Sequence, residues 1–236
     1  MAGEIEEVVS ALESHLQGRK QEVAILVVDP QWDFTEFGSD ILAPTVGTLP
    51  VPGADLRYMQ TVNELTRKLK DCLNAPVWVT QDWHPIDHCS FSAEGRQPFV
   101  DTYIDAQGKT QRVWPVHAVA DTPGAMPFLP RELIDHVFYK GVDPEVEAYS
   151  SFRDEAGRWT GLADELRQAG RSIIVLYGLA TDFCVLYTAL DARELGFEVW
   201  WLQVGSRGVF IRDSQSREQV EHEILEQMRT AEVHLL

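Results

Sequence analysis

A doubly wound α/β sheet is the fold class that the sequence predicts, and three observations predict it. Six short apolar runs recur along the chain: VAILVV (23–28), PVWVTQ (76–81), HVFY (136–139), SIIVLYG (172–178), EVWWLQV (198–204) and AEVHLL (231–236). The best of them are continuous rather than alternating and rich in β-branched or aromatic residues, as in strands buried on both faces of a parallel sheet. The segments between them carry helical spacing, so strand and helix alternate.

Taken in order, the elements each have a local reason. Residues 1–20 read as an added amphipathic helix with Ile5, Val8, Val9 and Leu12 on one side, packed on the body or on another subunit. After the first strand, Leu56, Met59, Val62, Leu65 and Leu69 mark a helix. Leu162 and Leu166 in GLADELRQAG mark a shorter one, stopped by Gly170. Val185, Ala189 and Ala192, with Leu186 and Leu190, lie on a third that ends at Gly196. Val220, Ile224 and Met228 define a fourth. Residues 35–54 and 84–130 break the rhythm with Gly, Pro, Asp and Thr, the second too long for an ordinary connection, and long loops of this kind are expected to be active-site walls or disordered insertions. No repeat, low-complexity tract or linker divides the chain, so residues 1–236 are expected to form one domain.

The composition narrows the function. Of 236 residues, 44% are hydrophobic and 24% charged, enough for a sizeable core. No apolar stretch reaches the roughly 18 residues of a membrane span. The opening MAGEIEEVVSALESHLQ is acidic, unlike a secretory signal. A net charge of −17 argues against nucleic acid, because phosphate binding needs clustered Lys and Arg. Cys72, Cys89 and Cys184 cannot all pair, so a reducing cytoplasm is the expected setting. The expected partner is a small molecule, with a homo-oligomer left open.

In an open parallel sheet, ligands bind beyond the carboxyl ends of the strands. Asp29 ends the first run, Asp82 the second and Lys140 the third, and Cys184 follows the fourth by one tight turn. In YGLATDFCVLYTALDAREL, Thr181 or Asp182 suits an N-cap, which puts Cys184 in the first helical turn. The positive helix end favours a thiolate there, and free N–H groups suit an oxyanion. A thiolate attacking an amide needs a group that takes the thiol proton and later protonates the leaving ammonia; Asp29 fits. It also needs a cation that holds two negative charges together; Lys140 fits. Cys72 reads as a small buried hydrophobe.

A second constellation lies in Asp82-Trp83-His84 with His117 of WPVH. Residues at i and i+2 of an extended segment point to one side, so Asp82 and His84 can reach one ion. Three N/O ligands leave room for water or substrate and suit Zn²⁺, Fe²⁺ or Mn²⁺. His88 reads as either a fourth ligand or a loop hydrogen-bonder, and His15, His136, His222 and His234 as structural or exposed. Phe34, Trp114 and Tyr149 are aromatics of the kind that wall a flat heteroaromatic substrate.

These segments together resemble the nicotinamidases of the isochorismatase-like cysteine hydrolases. The matching stretches are VVDPQWDF (27–34), LPVPGA (49–54), TQDWHPIDHCSF (80–91), WPVHAVADTPGA (114–125), FYKG (138–141), AYSSF (148–152) and GLATDFCVLYTALDARELGF (178–197), in family order. The resemblance implies a three-layer α/β/α sandwich with a six-stranded, mostly parallel sheet. It also implies hydrolysis of nicotinamide to nicotinate and ammonia through a cysteine thioester, feeding NAD salvage. Asp29, Lys140 and Cys184 fall on the family's triad positions. Asp82, His84 and His117 fall on its ligands for one divalent ion, zinc ahead of iron or manganese, which holds the pyridine nitrogen. Phe34 and Trp114 match residues that sandwich the ring, and Tyr149 a pocket aromatic. Leu179-Ala180 corresponds to a cis peptide that would aim the Ala180 and Cys184 amides into an oxyanion hole.

The chain departs from the family pattern in places. DPQWDF stands where the family usually reads like DMQNDF, so Pro30 removes an N–H and Trp32 replaces an amide. VGSRGV puts Val204 where an Asp is frequent, and the N-terminal helix is extra to small bacterial members. The rival readings are a metal-independent amide or carbamoyl hydrolase of the same superfamily and a non-catalytic nicotinamide-binding protein; the intact triad weighs against the second. Vinyl-ether hydrolysis is disfavoured because it does not need the cysteine.

Overall fold

The computed structural model describes residues 2–38, 46–211 and 215–236, so part of the 35–54 loop lies outside the described residues. Six strands form one sheet: β1 (Val23–Val28), β2 (Val77–Asp82), β5 (His136–Lys140), β6 (Ile173–Gly178), β7 (Glu198–Trp201) and β8 (His234–Leu235). Their spatial order is β5-β2-β1-β6-β7-β8, and every pairing is parallel. The continuous apolar runs have the expected cause: all of β1, β2 and β6 is buried. Successive side chains go to opposite faces. Val23, Ile25 and Val27 join the core under α1 (Ala2–His15) and α2 (Leu56–Leu73). Ala24, Leu26 and Val28 join the core under α3 (Leu162–Gln168), α4 (Leu186–Glu194) and α5 (Arg217–Thr230). The result is the three-layer α/β/α sandwich.

Helix ends follow their capping chemistry. Asp55 accepts a 2.8 Å hydrogen bond from the Tyr58 N–H at the start of α2, which ends at Asn74 in the left-handed region (φ 49°). Ser216 and Gln219 form a capping box on α5. The N-terminal helix buries Ile5, Val9 and Leu12, with Leu16 buried in the turn that follows; it half-buries Val8 and is tied to α2 by a Glu6–Lys68 ion pair. The C-terminal run yields only two strand residues, because the Val233 N–H still closes the end of α5 on the Met228 carbonyl. The 84–130 stretch holds a feature that the sequence reading missed, an antiparallel hairpin of β3 (Thr102–Ile104) and β4 (Thr110–Arg112). Among the described residues, no helix is long and apolar enough to cross a membrane.

Candidate active site

The carboxyl ends of the central strands bring the expected side chains together. β1 leaves the sheet at Asp29, whose φ of 46° turns the chain while its N–H still reaches the Thr80 carbonyl at 3.2 Å. Asp82 and Lys140 are facing partners at the ends of β2 and β5. Cys184 lies just beyond β6, in a π-helical turn over Thr181–Val185. Lys140 Nζ is 2.9 Å from Asp29 Oδ2 and 3.4 Å from Cys184 Sγ, donates to the Ala148 carbonyl at 3.0 Å, and pairs with Asp82 Oδ1. One carboxylate oxygen each of Asp29 and Asp82 and the Cys184 sulfur lie within 4.8 Å of one another. Thr80, which the sequence reading did not single out, donates its hydroxyl to Asp29 Oδ1 at 2.7 Å. Asp29 Oδ2 is close to the ammonium yet makes no aligned hydrogen bond, so it keeps a lone pair for another proton.

Burial and the shared ammonium set the protonation states. Burial lifts the Asp29 carboxyl to about 6, with Lys140 opposing the rise and Asp82 adding to it. Burial pushes Asp82 the same way, but Lys140 and the nearby imidazoles outweigh it, and this carboxyl ends below its ordinary value. Burial works against the Lys140 charge, yet the two carboxylates hold its pKa well above the usual value. The expectation of a thiolate at a helix start is not met. Burial raises the Cys184 thiol well above its ordinary value, with Lys140 opposing the rise and Asp29 and Asp82 adding to it. The resting sulfur is a thiol and needs a base. The expected N-caps also differ: Ala180 occupies the N-cap with no side-chain cap, while the Asp182 carboxylate accepts the Val209 N–H at 2.8 Å and the Phe210 N–H.

Beside this cluster, one carboxylate oxygen of Asp82 and one ring nitrogen each of His84 and His117 lie within 4.8 Å of one another. The loop strands bring them there. The His84 N–H and C=O bond to Ala118 and Ala120, which lays the 117–120 segment alongside. His84 Nδ1 bonds to the Gly141 carbonyl at 2.8 Å and His117 Nδ1 to the Pro115 carbonyl at 2.7 Å. A ring whose Nδ1–H faces a carbonyl turns an Nε2 lone pair inward, which is the form that binds a metal. Burial pushes His84 down to about 3 and lowers His117 as well, so both rings stay neutral. The three residues therefore fit a divalent cation. His88 is the loop hydrogen-bonder of the two readings: its nitrogens contact Ser90 Oγ at 2.8 Å and the Val146 carbonyl at 3.2 Å.

A pocket of about 480 Å³ opens onto both clusters. Phe34, Trp114 and Tyr149 all line it, and Trp114 Nε1 donates to the Tyr149 hydroxyl at 3.2 Å. Cys184 and Ala180 line it too, the Leu179-Ala180 peptide is cis, and the Ala180 N–H has no hydrogen-bond partner among the described residues. The sequence reading missed Leu49, Val51, Phe183, Val209 and a buried carboxylate, Glu147. Position was the available signal for Glu147, which stands two residues before Tyr149.

Comparison with known proteins agrees with this architecture. Residues 23–209 match the isochorismatase domain. The nicotinamidase of Escherichia coli (strain K12) is 38% identical over 199 residues, 82% of this chain and 86% of that protein. A solved Acinetobacter baumanii nicotinamidase/pyrazinamidase superposes with a TM-score of 0.74 at 32% identity, covering 92% of this chain and 96% of that one. The Pyrococcus horikoshii pyrazinamidase, solved in complex with zinc, gives a TM-score of 0.68 at 34% identity, covering 91% and 98%. Fold, order of motifs and similarity over most of the chain lead to one conclusion: this protein belongs to the isochorismatase domain family, among relatives that are nicotinamidases.

Proposed function

We propose that this chain, acting as a single domain, hydrolyses nicotinamide to nicotinate and ammonia through a thioester on Cys184. The observation that carries the reading is the contact of Lys140 with Asp29, Asp82 and Cys184 beside the Asp82, His84 and His117 group. The pyridine ring lies between Phe34 and Trp114, with Tyr149 beside it. Asp29 takes the Cys184 proton as the sulfur attacks the carboxamide carbon, and the N–H groups of Ala180 and Cys184 hold the oxyanion, worth about 3–4 kcal/mol per donor. The C–N bond breaks as Asp29 passes its proton to the departing nitrogen, which leaves as ammonia. Asp29 then deprotonates a water, which attacks the thioester; the C–S bond breaks and the proton returns to sulfur. Lys140 keeps the successive negative charges on Asp29 and Cys184 tolerable throughout.

Asp82, His84 and His117 would hold a divalent ion, zinc ahead of iron or manganese. That ion would supply a Lewis acid that fixes the ring nitrogen. A reducing cytoplasm suits three cysteines that are all free.

Ammonia release from nicotinamide tests the reading. Cys184→Ala should lose at least about 10⁴-fold in kcat while still binding nicotinamide. Chelation should suppress the wild-type rate, and added zinc or iron should restore it. Turnover by the alanine variant would overturn the covalent route, and indifference to chelation would favour a metal-independent amidase.

A further inference from the structure

We propose that Gln31 is a positioning residue for the metal-ligand group: its side-chain amide takes the place of a strand peptide beside Asp82 and holds that carboxylate in line with His84 and His117. The inference rests on reading those three residues as metal ligands. It concerns a residue that does not line the pocket and meets the triad only at the Asp29 main chain.

The need for such a support arises where β1 stops. Residues 25–27 of β1 pair with residues 77–79 of β2, and the last main-chain contact is Asp29 N–H to the Thr80 carbonyl. Past that point the backbone of β1 has turned away, and Asp82 would lack a neighbour on that side. The Gln31 N–H bonds to the Asp29 carbonyl at 2.8 Å, closing a three-residue turn centred on Pro30, where a missing N–H costs nothing. The turn returns Gln31 to an extended conformation (φ −98°, ψ 151°) with the residue fully buried.

Its amide then meets both main-chain groups of Asp82. Nε2 donates to the Asp82 carbonyl at 2.8 Å, and Oε1 accepts the Asp82 N–H at 2.8 Å. The second Nε2 proton goes to the Ala125 carbonyl at 2.8 Å, so both donors are committed. A primary amide presents a donor and an acceptor as a peptide does, and thus extends the ladder by one step. That step fixes the residue whose Oδ1 pairs with Lys140 and whose Oδ2 lies 3.8 Å from His84 Nε2. Glu at position 31 would keep the acceptor and lose the donors; Met would lose both.

Zinc affinity, read by competition with a chromophoric chelator, tests the proposal alongside thermal melting of the metal-free proteins. Gln31→Met should weaken zinc binding about 10–100-fold, as loss of the support behind a metal ligand does. Gln31→Glu should weaken it at least about tenfold by the same principle. Gln81→Met serves as the control, because Gln81 Nε2 donates to the same Ala125 carbonyl while its amide makes no hydrogen bond to Asp82, and its zinc affinity should stay at the wild-type level. Folded Gln31 variants with wild-type affinity would overturn the proposal, as would a Gln81 variant weakened as much as they are. A wild-type protein that binds no zinc would instead sink the ligand assignment itself, and this inference with it.

Discussion

Asp29 is fully buried, and burial lifts its carboxyl to about 6. A base must be ionised to accept the thiol proton. kcat/KM for nicotinamide should therefore fall about tenfold per pH unit below about 6 and level off above it. An ammonia assay between about pH 5 and 8 reads that limb; a rate flat to pH 5 would remove Asp29 from the role. The same shift bears on stability. The folded value lies above the ordinary 3.8, so the folded state holds this proton more tightly than the unfolded chain. That stabilisation is complete below about 4 and is lost as pH rises through about 6. Asp29→Asn should be inactive, yet melt no lower than wild type at pH 8, and the comparison should turn against it towards pH 4. Gly141 carries a different constraint. It has φ of 65°, its carbonyl orients His84, and an added Cβ would stand 2.6 Å from His84 Nδ1. Gly141→Ala should cost about 10–100-fold in zinc affinity, measurable by chelator competition.

Helices and strands were legible wherever their pattern was long and apolar. β1 falls where the VAILVV run predicts it, and Leu162–Leu166 marks α3 with its stop at Gly170. The β3–β4 hairpin was invisible because its strands are three residues long, carry no continuous buried run, and Thr110-Gln111-Arg112 is wholly polar. The π-helical turn around Cys184 was also hidden. Asp182 looks like a cap in sequence but spends its carboxylate on Val209 and Phe210, a contact that only the tertiary fold creates. The N-terminal helix yields a prediction at this scale. Leu12 is fully buried on the side of α1 that faces the body and is not among the pocket lining. Leu12→Ala should destabilise the fold by about 2–5 kcal/mol in denaturant melts while leaving kcat of the folded protein unchanged.

The whole molecule is organised by its sheet. A parallel sheet delivers all its strand ends to one edge, so Asp29, Asp82, Lys140 and Cys184 could be grouped from sequence without knowing their distances. What sequence could not supply was the order of the strands and the loop paths. Asp82 and Lys140 are 58 residues apart yet directly paired, because β5 lies against β2. Gln31 is the clearest case. Beside the substituted Pro30 and Trp32 it read as part of a divergent loop, and its grip on Asp82 depends on β1 and β2 being neighbours.

Lys140 serves two carboxylates and Glu147 adds a third to the pocket wall, so the site carries an excess of negative charge that a bound divalent ion would offset. Nicotinamide is neutral and indifferent to that change, but nicotinate is an anion. Calorimetric titration should show nicotinate held by the metal-loaded protein and released by the stripped one, so that product inhibition rises with metal occupancy; equal affinity in both forms would contradict this. Cellular metal supply would then govern not only how fast the reaction starts but how readily it lets go.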